Sequence, residues 1–102
     1  MASASITAVG VSDWIDCTIP VTHRLDIDVP GTISAISCTI ESTHNQAGQA
    51  KTLRQPHSVT TAWEFTASDA CNVTGGAFYR LRIASMTGSG TVTLHSREVE
   101  TT

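Results

Sequence analysis

The chain has 102 residues and a mass of 10.8 kDa, which is room for one domain spanning residues 1–102 and not for two. Charged side chains make up 15% of it, and its net charge is -3, with five Arg and one Lys against nine carboxylates. It lacks the basic excess that phosphate binding requires, so nucleic acid is not an expected partner. Sixteen Thr, eleven Ser, eight Val and eight Ile stand against four Leu, a balance that suits strands and leaves little for long helices.

Taken in chain order, short strands are expected at 6–9 and 14–19. Over 22–29, His23, Leu25, Ile27 and Val29 alternate with Thr22, Arg24, Asp26 and Asp28, the period of two that marks a half-buried strand. Pro30 and Gly31 then supply a turn. The run 33–41 puts Ile36, Cys38 and Ile40 on one face with Ser37 and Thr39 opposite. Residues 43–57 are polar and carry the single Lys; they read as a long flexible loop with a turn of helix near 47–51, and loops of that length often contact something. Val59, Thr61, Trp63 and Phe65 form the next stripe, and over 78–83 Tyr79, Leu81 and Ile83 oppose Phe78, Arg80 and Arg82. Gly88 and Gly90 mark a hairpin-type connection into a strand at 91–95, followed by a hydrophilic tail at 96–102 that frays or reaches a neighbour. About seven to eight short strands at this spacing predict an antiparallel two-layer β-sandwich, jelly-roll or Ig-like, with a small closed barrel as the alternative.

Processing and membrane signals are weak. No Lys or Arg precedes Arg24, no apolar run of signal-peptide length opens the sequence, and no stretch approaches the ~20 apolar residues of a membrane helix. A chain made in a cytoplasm, away from membranes, is expected. Cys17, Cys38 and Cys71 are odd in number and widely spaced, which favours small buried thiols over a disulfide framework. A bond between copies in an oxidising medium is the sharper alternative.

Catalytic and metal chemistry find little support. His23, His44, His57 and His95 are scattered, and none sits at zinc-site spacing from a Cys. Asp26 and Asp28 share a strand face that would suit calcium only with a third ligand, and a solvated face beside Arg24 is the plainer reading. No nucleophile elbow, metalloprotease helix or glycine-rich phosphate loop is present, so the expectation is a non-enzyme without metal or cofactor. Asn72, Val73 and Thr74 match a glycosylation acceptor by chance. Arg80 and Arg82, two apart on one strand face beside Phe78, are the best binding feature; the plainer reading pairs them with Asp or Glu across the sheet. Trp14 and Trp63 are core by default.

Several features fall in a recognisable order. A short strand leads to Gly10 and Trp14, and an alternating strand leads to Pro30, Gly31 and Thr32. A strand ending at Cys38–Glu41 follows, then a polar loop, Trp63, the Phe78–Ile83 strand, and a close through Gly88, Gly90, Val92 and Leu94. Over about residues 6–96 this arrangement resembles the small β-sandwich structural proteins of tailed bacteriophages. The resemblance implies a virion component assembled in the infected bacterial cytoplasm, most simply a capsid decoration or cement protein that stabilises the shell. Its partners would be copies of itself, in a trimer for instance, and the major capsid protein. A head–tail or tail accessory protein, as a ring or fibre adaptor, is the rival within that class. A carbohydrate-binding module for host-surface attachment, using an exposed Trp14 or Trp63, is the alternative from another class. The candidate interface residues are Trp14, His44, Lys51, Arg54, His57, Arg80, Arg82 and Arg97, with Lys51 and Arg54 placed to pair with acidic capsid patches.

Overall fold

Alternating apolar side chains become two packed layers of strand in the computed structural model, which describes residues 2–53 and 62–99. The strands are β1 (Ala2–Ile6), β2 (Gly10–Val11), β3 (Ile15–Cys17), β4 (Thr22–Asp28), β5 (Ile33–Thr43), β6 (Lys51–Thr52), β7 (Glu64–Phe65), β8 (Asp69–Thr74), β9 (Ala77–Gly88) and β10 (Val92–Glu98). The first sheet runs β1-β10-β4-β8 and the second β2-β9-β5-β6. β3 continues the β2 edge along β9, and β7 continues the β6 edge along β5. Among the described residues ten pieces therefore fill eight strand positions, and every pairing is antiparallel. Consecutive strands mostly alternate between layers, and the resulting order is that of a jelly roll, two Greek keys folded on each other. This order resolves the choice between jelly-roll and Ig-like connectivity.

Between the layers lie Leu25 and Ile27 of β4, Ile36, Cys38 and Ile40 of β5, Tyr79, Leu81 and Ile83 of β9, and Val92 and Leu94 of β10, all buried. Cys17, Cys38 and Cys71 are buried and unpaired, and burial pushes the Cys38 and Cys71 thiols up to about 11. The Tyr79 hydroxyl donates to the Thr74 carbonyl at 2.9 Å, tying the start of β9 back across the β8–β9 connection, as a tyrosine corner does in Greek-key sandwiches. Two register shifts in the β5–β9 ladder reset the alternation. Ser34 is the extra residue on β5 and Ala84 the extra one on β9, so the inward row steps from Ile33 to Ile36 and from Ile83 to Met86.

Several local expectations are corrected. The first strand covers 2–6 and not 6–9; Ile6 is its last residue, opposite Val92, and the chain then leaves for the other sheet. The strand expected at 14–19 is only Ile15–Cys17, because the Asp16 carboxylate accepts from the Thr18 N–H at 2.9 Å and from its hydroxyl, turning the chain ahead of Pro20. The connection at 88–90 is no hairpin: β9 and β10 belong to different sheets. No helix forms near 47–51. Asn45 instead accepts from the Gly48 N–H at 2.8 Å and, through its side chain, from the Ala47 N–H, a tight turn that brings Lys51–Thr52 back along β5. The 43–57 segment is thus strand at both Thr43 and Lys51–Thr52. The hydrophilic tail begins later than 96, since Ser96–Glu98 extends β10 along β4 and Ser96 is buried. Strand β8 was not expected at all. In the stripe 59–65, Phe65 is buried and Trp63 half-buried, stacked on it at 5.3 Å; Val59 and Thr61 lie outside the described residues.

Candidate protein-binding face

The outer surface of the second sheet is where the sequence-derived candidates converge. On β9 the inward set Tyr79, Leu81 and Ile83 forces Phe78, Arg80 and Arg82 outward. On β5 the same parity turns Thr39 and Glu41 outward, and the register sets Glu41 directly opposite Arg80 and Thr39 opposite Arg82. Arg80 Nε donates to Glu41 Oε1 at 2.7 Å, and Arg82 Nε donates to Oε2 at 2.7 Å. One carboxylate thus serves two guanidiniums, leaving the group with one net positive charge. Thr52 of β6 flanks Glu41 on its other side, and the Glu41 side chain is only 9% exposed. Burial pushes its carboxyl up, but the hydrogen bonds and charges of Arg82 and Arg80 outweigh this and hold it below the ordinary carboxylate value.

Trp14 reaches this group because the edge strand slips. Val11 pairs with Arg82 and Ile15 with Tyr79, so Ser12, Asp13 and Trp14 stand against Leu81 and Arg80 alone, one residue too many. Ser12 anchors the bulge: its N–H donates to the Leu81 carbonyl at 2.9 Å, and its hydroxyl accepts the Leu81 N–H at 3.0 Å. A bulge bends an edge and re-aims a side chain. Here it lays the Trp14 ring against Arg80, whose guanidinium carbon is 4.3 Å from the ring centroid, within cation–π reach. Across the sheet the order is Trp14, Arg80, Glu41, with Arg82 diagonal to them and Val11 beside Arg82. Arg82 is 46% and Val11 39% exposed, so a cationic fork and an apolar side chain both face solvent.

Three of the sequence-derived interface residues, Trp14, Arg80 and Arg82, are therefore neighbours. The others are elsewhere. His44 sits past the end of β5 with Nδ1 3.0 Å from the Gly76 carbonyl oxygen, Lys51 is exposed on β6, and Arg97 lies in the first sheet opposite Arg24. Arg54 and His57 lie outside the described residues. Glu41, the residue that organises the array, was missed; the signal was available, because two outward Arg on one strand need an acid opposite, and Glu41 is the sole carboxylate of β5.

The first sheet's outer face carries Asp26, bound by Arg24 Nε at 3.1 Å, and Asp28, 3.0 Å from His95 Nε2. Among the described residues no group of three or more His, Cys, Asp or Glu is placed to hold a metal ion. Of the surface depressions, one is lined by Asp16, Ile19, His23 and Arg97 and another by Pro30, Ile36 and Ala67. Neither touches the tryptophan–arginine array. Against known proteins, the chain matches no family model, no curated protein and no solved structure.

Proposed function

We propose that this chain is a non-enzymatic structural protein of a bacteriophage virion, a capsid decoration protein that binds the shell in multiple copies and stabilises it. The observation that carries the binding half of this reading is the Trp14–Arg80–Glu41–Arg82 array. Trp and Arg dominate the energy of protein interfaces because a rigid, pre-ordered side chain loses little freedom on docking. Stacking on Trp14 and bonding to Glu41 fix Arg80 before any partner arrives. The surplus positive charge fits an acidic patch, and Val11, 39% exposed and paired with Arg82, sets an apolar side chain beside it.

The virion setting rests on the sequence resemblance. Jelly rolls also serve lectin and cupin domains, so topology alone does not choose among them. The state of the tryptophans weighs for protein over sugar as the ligand. Both are half-buried, one ring stacked on Arg80 and the other on Phe65, whereas a sugar platform presents a well-exposed ring face. Peptide mass spectrometry of particles purified from cells carrying the gene tests the reading. The chain is expected in the particles at a copy number comparable to the major shell protein. Its absence from washed, intact particles would overturn the proposal, and a few copies per particle would move it to the neck or tail.

A further inference from the structure

A β-sandwich has four sheet edges, and each exposed edge is a template for pairing unless something blunts it. Two edges here are blunted and a third carries a charge at its first residue. The β2/β3 edge is broken by the Ser12–Trp14 bulge and carries Asp16; the β6/β7 edge consists of two two-residue pieces bearing Lys51 and Glu64; β8 carries Asp69. The fourth differs. β1 is five residues long, Ala-Ser-Ala-Ser-Ile, with no charge, no Pro, no Gly and no bulge in its register with β10. Among the described residues no strand pairs with its outer side, so alternate residues direct N–H and C=O groups away from the sheet.

We infer that β1 is a self-association edge, and that two copies join by antiparallel β1–β1 pairing into one continuous eight-stranded sheet. A second copy is the occupant the sequence favours, for two reasons. An uncharged strand meets its own copy without like-charge repulsion, and a two-fold contact uses the same patch twice. Parity then restricts the register. Residues directly opposite each other point to the same side of a sheet, which allows two-folds centred on Ser3, Ala4 or Ser5; the one that pairs all five residues of β1 sets Ala4 against Ala4 and Ser3 against Ser5. Ala4 and Ile6, which pack against the core, extend the inner apolar row from one copy into the next. The exposed Ser3 and Ser5 form a row of hydroxyls outside. A slip by one residue would set Ser5 against Ala4 and break both rows.

The inference rests on the proposed function only in assuming that copies act together; β1 and the Arg80 array lie in different sheets, so their variants report separately. The test is sedimentation velocity and native mass spectrometry on three samples: the unaltered chain, a Ser3→Lys/Ser5→Lys variant, and a Ser3→Glu/Ser5→Glu variant. Both positions are exposed, so the variants should melt as the unaltered chain does, which circular dichroism checks. The expected result is a dimer for the unaltered chain, monomers for each charged variant alone, and a one-to-one heterodimer when the two are mixed, as their charges then alternate across the pair. Only edge pairing predicts that rescue. A chain that stays monomeric up to its solubility limit would overturn the inference, as would an oligomer of any size that both charged variants preserve.

Discussion

Replacing Glu41 with alanine is expected to cost about 2–4 kcal/mol, because it leaves the mostly buried Arg80 guanidinium without its carboxylate and beside a second cation. For a domain of this size that corresponds to a fall in melting temperature of roughly 10–25 °C. The comparison with Arg82→Ala makes the test sharp. Arg82 is half exposed, Glu41 would keep Arg80, and the expected loss is about 1 kcal/mol or less. The pH dependence follows with a definite sign. Glu41 is held below its ordinary value of 4.5 in the folded state, so its contribution is complete above that value and fades as pH falls toward the lowered one. Glu41→Gln should therefore flatten part of the acid limb of the stability curve while lowering the neutral plateau. An unchanged acid limb in that variant would show that the carboxylate is not the organising charge.

The second large effect is expected at Gly75. A Cβ there would lie 2.0 Å from the Ile19 carbonyl oxygen and 2.6 Å from that of Val21. Both are backbone atoms already engaged: the Val21 N–H donates to the Ile19 carbonyl, His23 Nε2 lies 2.9 Å from it, and the Gly75 N–H donates to the Val21 carbonyl. Nothing in this contact is a flexible chain end that can swing aside. The connection between β8 and β9 is stitched to the one between β3 and β4 at this point, where both cross between the layers. Gly75→Ala is expected to destabilise by about 3 kcal/mol or more. Gly31→Ala, where no atom lies within 4 Å, should be near neutral. Denaturant midpoints at constant slope measure both, and equal midpoints would contradict the close approach.

How much of this was legible in the sequence depended on side-chain size and on strand length. The inner faces of β4 and β9 could be read because His23, Leu25 and Ile27, then Tyr79, Leu81 and Ile83, alternate with charged residues. β8 was invisible since only Cys71 and Val73 mark its inner row, between Ala70, Asn72 and Thr74, which carry little pattern. β1 was displaced for a similar reason: Ala and Ser alternate too weakly to be seen. Sheet assignment could not be read at all, because three residues after Gly88 span a hairpin or a crossing between layers equally well. At the candidate site, pairing of Arg80 and Arg82 with an acid across the sheet was foreseen. The identity of that acid and the arrival of Trp14 were not, because both depend on register: one on Glu41 facing Arg80, the other on the extra residue between Val11 and Ile15. Alternation reports faces, and register stays hidden until strands pair.

If the outer face of the second sheet docks on a protein shell, as proposed, the purified chain should rebind to shells stripped of it through that face. Equilibrium binding would compare the unaltered chain with Trp14→Ala and Arg82→Gln variants that circular dichroism shows to be folded. The account predicts that each variant binds at least about tenfold more weakly, as expected for anchor residues at the centre of an interface. The Ser3→Lys/Ser5→Lys chain should keep its affinity per copy and lose only what joining copies adds. Unchanged affinity in both Trp14→Ala and Arg82→Gln would contradict the account.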